Sequence, residues 1–160
     1  LRRARREHLE KIVNLFPWIA TVDAFQHWLY THPQHTCEQR RHAWRRIHSR
    51  FEGIVDWSGF EDAAEYLWHK QLHIFLYPFY YIEYGIAQIG ALQVWRNSLR
   101  NQRDAVERYR QALALGNTRS LPELYRAAGV EFTFDVRVIQ DLVELVEQDL
   151  ERWQAIGSGK

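Results

Sequence analysis

The sequence predicts an all-α protein, an irregular array of many helices. Three observations carry this. Apolar residues recur at spacings of three and four along nearly the whole chain. Residues that start and stop helices punctuate that pattern. Only one short stretch, 130–134, alternates as a strand does.

The elements follow in chain order. Leu9, Ile12, Val13 and Phe16 share one face of a helix over 4–16, and Pro17 is expected to interrupt or restart it. A second helix is expected over 21–31, with Val22, Phe25, Leu29 and Trp28 inward, ended by Pro33. Thr36 stands three residues before Gln39, a capping-box pattern, and opens a helix over 37–51 with Trp44, Ile47 and Phe51 on one stripe. Residues 53–60 lie between turn glycines and read as a loop. A short helix over 60–72 follows. Pro78 then fits the first turn of a long apolar helix reaching Trp95. A polar helix over 99–115 is stopped by Gly116. Ser120, Pro122 and Glu123 start a short helix that Gly129 closes. Asp135 caps a last helix striped by Val138, Leu142, Leu145, Val146 and Leu150. Residues 157–160 read as a flexible tail.

Composition narrows the class. With 160 residues and 46% apolar side chains the chain can bury a core, and its net charge of +1 excludes global disorder. The single Cys37 excludes an internal disulfide and a cysteine zinc site, which fits a reducing, cytoplasmic setting. The chain opens at Leu1 and holds no Met, so a piece of a longer protein is expected. Its basic first residues lack the apolar run of a signal peptide. Segment 72–95 is long and carries only Glu83 as a formal charge. It also holds His73, Pro78, Gln88, Gln93 and four tyrosines, so a buried helix of a soluble domain is expected rather than a membrane span.

Three constellations are candidates for chemistry. His69 and His73 stand at i and i+4, a spacing at which two imidazoles can share a metal. The residue after His69 is Lys70, however, where a zinc peptidase needs a Glu general base, and no histidine of this chain is followed by Glu. Arg40, Arg41, Arg45, Arg46 and Arg50 give 37–51 a basic face. With Trp44 turned to the core, they decorate its solvated sides, and no nucleic-acid partner is expected. The third is a ladder of phenols. If Pro78 opens the helix, then Tyr77, Tyr81, Tyr84 and Gln88 fall in one stripe, with Tyr80 at its edge. Buried hydroxyls need partners, and a protonated phenol can donate to an oxyanion. Ring packing accounts for such a ladder equally well.

Several phrases resemble the carboxy-terminal part of the oligoendopeptidase F branch of the thimet oligopeptidase family of zinc metallopeptidases. They are Thr21-Val-Asp-Ala-Phe-Gln-His-Trp-Leu-Tyr30, Pro33, Arg40 to Trp44, Arg50-Phe51, Val55-Asp56, Trp68 and His73. The longest is Pro78-Phe-Tyr-Tyr-Ile-Glu-Tyr-Gly-Ile-Ala-Gln-Ile-Gly-Ala-Leu-Gln-Val-Trp95, and Leu121-Pro-Glu-Leu-Tyr-Arg-Ala-Ala-Gly129 continues it. The resemblance implies a mostly helical, deep bowl around a catalytic zinc. It also implies that the HExxH helix and a third ligand, a Glu, precede everything present here. Residues 1–160 are then the C-terminal portion of the catalytic domain, inactive alone, with zinc in the parent and none in this chain.

In that family a histidine and a tyrosine-rich helix line the cleft opposite the metal. By resemblance His73 matches the histidine, binding substrate with Tyr77, Tyr84 and Gln88. Tyr77, Tyr80, Tyr81 and Tyr84 are the catalytic candidates for stabilising the tetrahedral intermediate. Which of them faces the zinc is open. Short peptides are the implied substrates, and no membrane partner is implied. Two other readings stand beside this one: a non-catalytic helical module with a tyrosine-lined pocket, and a nucleic-acid-binding domain using the 40–50 arginines. A helix as apolar as 78–95 is also expected to leave bare surface, so the chain is expected to self-associate or to show an exposed aromatic face.

Overall fold

The computed structural model describes residues 2–157, with side chains over 3–152, and is all-helical: no strand occurs among the described residues. The helices are α1 (Arg2–Thr31), α2 (Cys37–His48), α3 (Glu61–Glu65), α4 (His73–Leu76), α5 (Ile82–Arg100), α6 (Gln102–Ala114), α7 (Leu121–Ala127) and α8 (Val136–Gly157). A 3-10 turn at Leu67–Lys70 follows α3. Of the expected tail, Gly157 closes α8, and residues 158–160 lie outside the described residues.

The chain divides into two compact units. One holds residues 13–85, the other residues 1–12 with 86–160, so the division falls inside α1 and inside α5.

In the 13–85 unit, Val22, Phe25, Trp44, Ile47, Trp68 and Ile74 form a buried cluster, joined at its margin by Trp18, Phe51 and Tyr81. Phe25 meets Trp44 edge-on at 5.0 Å between ring centroids, and Trp18 meets it at 5.9 Å. The Trp44 indole N–H donates to Ala64 O at 2.8 Å, whereas the buried Trp68 indole nitrogen has no hydrogen-bond partner among the described residues. The expected capping box is present: Gln39 N donates to Thr36 Oγ1, and Thr36 N donates to Gln39 Oε1. Helix α2 ends at His48, three residues short of expectation, and Phe51 packs on the core from beyond its end.

Two expectations about prolines fail here, and two smaller ones with them. Pro17 does not interrupt α1, which runs through it for 30 residues. Proline removes one helix donor, a cost of about 3 kcal/mol. Burial of Ile12 on one side, and of Ile19, Val22 and Phe25 on the other, offsets that cost, and Thr21 Oγ1 donates to the Pro17 carbonyl at 2.8 Å. Val13, expected inward, is 44% exposed. The second failure is Pro78, which does not open a helix. The residue before a proline is driven out of the helical region. Tyr77 accordingly lies at φ −139°, ψ 68°, ending α4, and α5 begins only at Ile82. The helix expected over 60–72 likewise splits into α3 and the 3-10 turn.

The other unit buries Leu9, Ile12, Ile89, Leu92, Ala105, Ala128, Leu142 and Val146. Its punctuation is as expected. Gly116 and Gly129 have φ of 54° and 74°, a left-handed backbone that glycine adopts without strain. At the start of α7 the Glu123 carboxylate reaches back, accepting from Ser120 N at 2.9 Å and from Ser120 Oγ at 2.6 Å, and Arg137 N donates to Asp135 Oδ1 at the start of α8. Residues 130–134, with their alternating pattern, form no strand. The Gln93 side chain serves instead, donating to Glu131 O at 2.8 Å and accepting from Glu131 N at 3.0 Å. Asn97 Nδ2 donates to Gly129 O beside it. The Tyr125 hydroxyl donates to Ile86 O, and its ring lies over Gly90, where a Cβ would come within 2.8 Å of Tyr125 Cε1.

Candidate functional site

The ladder expected from the sequence is a stripe on one helix. In the structure the same residues are gathered by a turn. Tyr80 N donates to Tyr77 O at 3.1 Å, Pro78 is the second residue of that turn, and Phe79, its third, has φ +62°. This is the pattern of a type II turn, whose third position normally belongs to glycine. A bulky residue there is an outlier costing about 1–2 kcal/mol. The turn is tied down from α1: Phe79 N donates to the buried Gln26 Oε1 at 2.8 Å, and the Phe79 ring meets His27 and Tyr30 at 5.0 and 5.2 Å.

Around this turn all four tyrosines converge on His73. Tyr80 stacks on the imidazole (centroids 6.1 Å, planes 9° apart). Tyr81 and Tyr84 meet it edge-on at 5.1 and 5.7 Å, and Tyr77 lies at 6.5 Å. The Tyr84 hydroxyl is 3.3 Å from His73 Nε2. Tyr77, Tyr80 and Tyr84 are 63%, 52% and 42% exposed, so these side chains lie at the surface rather than in a dry core. Tyr81 differs: it is half-buried at the edge of the core cluster. Burial pushes its phenol above the usual range, against the Trp18 indole N–H, which favours the phenolate. Gln88 lies on α5, four residues beyond Tyr84 and past the division between the two units.

Two residues that sequence reasoning missed complete the cluster. Gln71 Nε2 lies 2.7 Å from His73 Nδ1, and the Trp18 indole N–H donates to Gln71 Oε1 at 3.1 Å. The i, i+2 spacing of Gln71 and His73 falls outside a helix-face search, and Trp18 is more than fifty residues away in sequence. Lys70 Nζ sits 4.3 Å above the Trp18 ring. His69, the other half of the i, i+4 pair, is exposed and packs on Trp68 and Tyr66, outside this group.

Four of the five arginines of the basic face engage neighbours. Arg41 and Arg45 both reach Glu65, at 3.6 and 3.1 Å. Arg40 covers Trp68, and Arg50 covers Phe51. Among the described residues no helix is long and apolar enough to cross a membrane.

A helical frame presenting a histidine ringed by phenols agrees with a match to a family model: residues 1–144 match peptidase family M3, and the chain belongs to that family. Three solved structures share its fold. An enzyme named PZ peptidase A, solved with an inhibitor, is 32% identical with a TM-score of 0.86, over 92% of this chain and 26% of its own. A protein assigned as oligoendopeptidase F is 29% identical with a TM-score of 0.86, over 93% of this chain and 26% of its own. Another so assigned, from Bacillus anthracis, is 29% identical with a TM-score of 0.70, over 92% and 23%. The chain thus spans about a quarter of the length of the structures it matches. No curated protein matches it at a significant level. Nowhere among the described residues do three His, Cys, Asp or Glu side chains come together as a metal would require. The zinc implied by the family resemblance therefore does not fit the described residues.

Proposed function

We propose that this chain is the C-terminal portion of the catalytic domain of a zinc-dependent oligoendopeptidase acting on short peptides. Its part is the substrate-binding and oxyanion-stabilising wall of the cleft. The metal belongs to residues outside this chain, and the work of the His73 cluster is done by its own donors and acceptors. What carries the reading is the exposed cluster in which His73 is ringed by four tyrosines, with the Tyr84 hydroxyl 3.3 Å from Nε2.

An extended peptide has carbonyls seeking donors, and the phenol hydroxyls of the exposed Tyr77, Tyr80 and Tyr84 can donate. A phenol that bonds the carbonyl oxygen more strongly once it becomes an oxyanion lowers the barrier rather than the binding constant. His73 holds Tyr84 in place. Tyr81, half-buried against the core, supports the cluster through its ring. The pairing of Arg41 and Arg45 with Glu65 supports a reading without nucleic acid.

Phenylalanine substitution is the test. In the full-length enzyme Tyr84→Phe lowers kcat by about 10²–10³-fold with little change in KM, the signature of a group used mainly in the transition state. His73→Ala weakens substrate handling without releasing zinc. If Tyr77→Phe, Tyr80→Phe, Tyr81→Phe and Tyr84→Phe all keep normal kcat, the cluster is packing and the assignment fails.

A further inference from the structure

We infer that Trp18 and Gln71 are positioning residues that fix the tautomer of His73, and thereby free the Tyr84 hydroxyl proton for the substrate. This rests on the reading of Tyr84 as an oxyanion donor.

An indole nitrogen can only donate. Trp18 Nε1 lies 3.1 Å from Gln71, so the carbonyl end of that amide faces the indole. The amide nitrogen is then the end that faces His73, 2.7 Å from Nδ1. An amide NH2 donates and does not accept, so Nδ1 is the acceptor and carries no proton. In the neutral imidazole the proton therefore sits on Nε2. Nε2 is the nitrogen 3.3 Å from the Tyr84 hydroxyl. His73 is the donor in that contact, and Tyr84 the acceptor.

The consequence falls on the phenol. A hydroxyl has one proton and two lone pairs. With its oxygen accepting from His73, the Tyr84 proton is not consumed inside the cluster, and Tyr84 is 42% exposed. The opposite tautomer would turn the phenol proton inward onto Nε2 and leave a lone pair facing the substrate, where an oxyanion would be repelled. The donor character of the Trp18 indole thus reaches Tyr84 through an amide and an imidazole. The frame behind this relay is rigid: Trp18 packs edge-on against Trp44 in the core, and Lys70 covers its ring.

Gln71→Glu tests this in the full-length enzyme. A carboxylate still accepts from Trp18 but cannot donate to Nδ1, so it calls the His73 proton onto Nδ1 and reverses the relay. The expected result is a fall in kcat of about 10²–10³-fold, matching Tyr84→Phe, with KM unchanged. The double variant should fall no further, because both changes remove the same donor. If Tyr84→Phe costs kcat and Gln71→Glu does not, the relay is wrong and the site reading stands. If Tyr84→Phe costs nothing, the oxyanion role fails, and the tautomer is then read directly. Nitrogen-15 NMR of histidine-labelled protein is expected to show His73 Nδ1 without a proton and Nε2 with one. A proton on Nδ1 overturns the inference, whatever the kinetics of the variants.

Discussion

Gln26→Leu separates the stability of the fold from the setting of its site. Gln26 is fully buried, with Oε1 accepting from Phe79 N, while its Nε2 has no hydrogen-bond partner among the described residues. Leucine has a similar volume, so packing is kept. Removing the bond costs about 0.5–1.5 kcal/mol, and removing an unpaired buried amide hydrogen donor returns about 1–3 kcal/mol. Global stability should therefore stay level or rise by up to about 2 kcal/mol. The turn responds in the other direction. Its third residue, Phe79, sits at φ +62° against about 1–2 kcal/mol of strain, and the Gln26 bond is what holds it there. Loss of that bond reduces the population of the turn about 2- to 13-fold. Urea unfolding reads the first effect; amide exchange at Phe79 and peptide turnover read the second, with kcat falling by the same factor. A variant that loses more than about 2 kcal/mol of stability while each folded molecule turns over normally would refute the reasoning.

Gly90→Ala places a methyl 2.8 Å from the Tyr125 ring, which cannot move without breaking its bond to Ile86 O. Thermal unfolding should show a loss of about 1–3 kcal/mol, and Gly90→Ala with Tyr125→Leu should recover part of it. His48 gives a pH dependence. Burial, the larger effect, draws its imidazole below the ordinary range, and Glu52 at 2.9 Å opposes this only in part. The folded value is thus the lower one. The stability His48 contributes is complete above its unfolded value of about 6.5 and is lost as pH falls from there through the folded value. Urea midpoints at pH 7.5 and 5.5 should show that slope, flattened in His48→Gln.

Much of the fold is legible in the sequence because its signals are local. Thr36 with Gln39 and Ser120 with Glu123 close hydrogen bonds within one turn, and Gly116 and Gly129 supply a backbone that few other residues adopt. Proline misleads because its effect depends on context. At Pro17 burial on either side outweighs a missing donor; at Pro78 the restriction falls on Tyr77 and delays α5 to Ile82. The four tyrosines are grouped in the sequence for a reason that does not hold. They share no helix stripe, yet the turn brings them to His73 regardless. Gln71, Trp18 and Gln26 leave no trace in spacing, since they act through isolated long-range or i, i+2 side-chain bonds: Trp18 Nε1 to Gln71 Oε1, Gln71 Nε2 to His73 Nδ1, and Phe79 N to Gln26 Oε1.

The amide of Gln93 carries a wider implication. By offering one donor and one acceptor to Glu131, it does for residues 130–134 what a neighbouring strand does in a sheet, but at a single point. A sheet spreads its register over many bonds and tolerates losing one. Here one side chain of fixed length and polarity carries both backbone bonds of Glu131, between Val130 N, which donates to Tyr125 O, and Phe132, whose ring meets Tyr125. Asparagine falls a methylene short, glutamate lacks the donor, and leucine strands both backbone groups. A helical protein that borrows strand chemistry in this way gains economy and gives up redundancy, and position 93 is where that exchange leaves least freedom to vary.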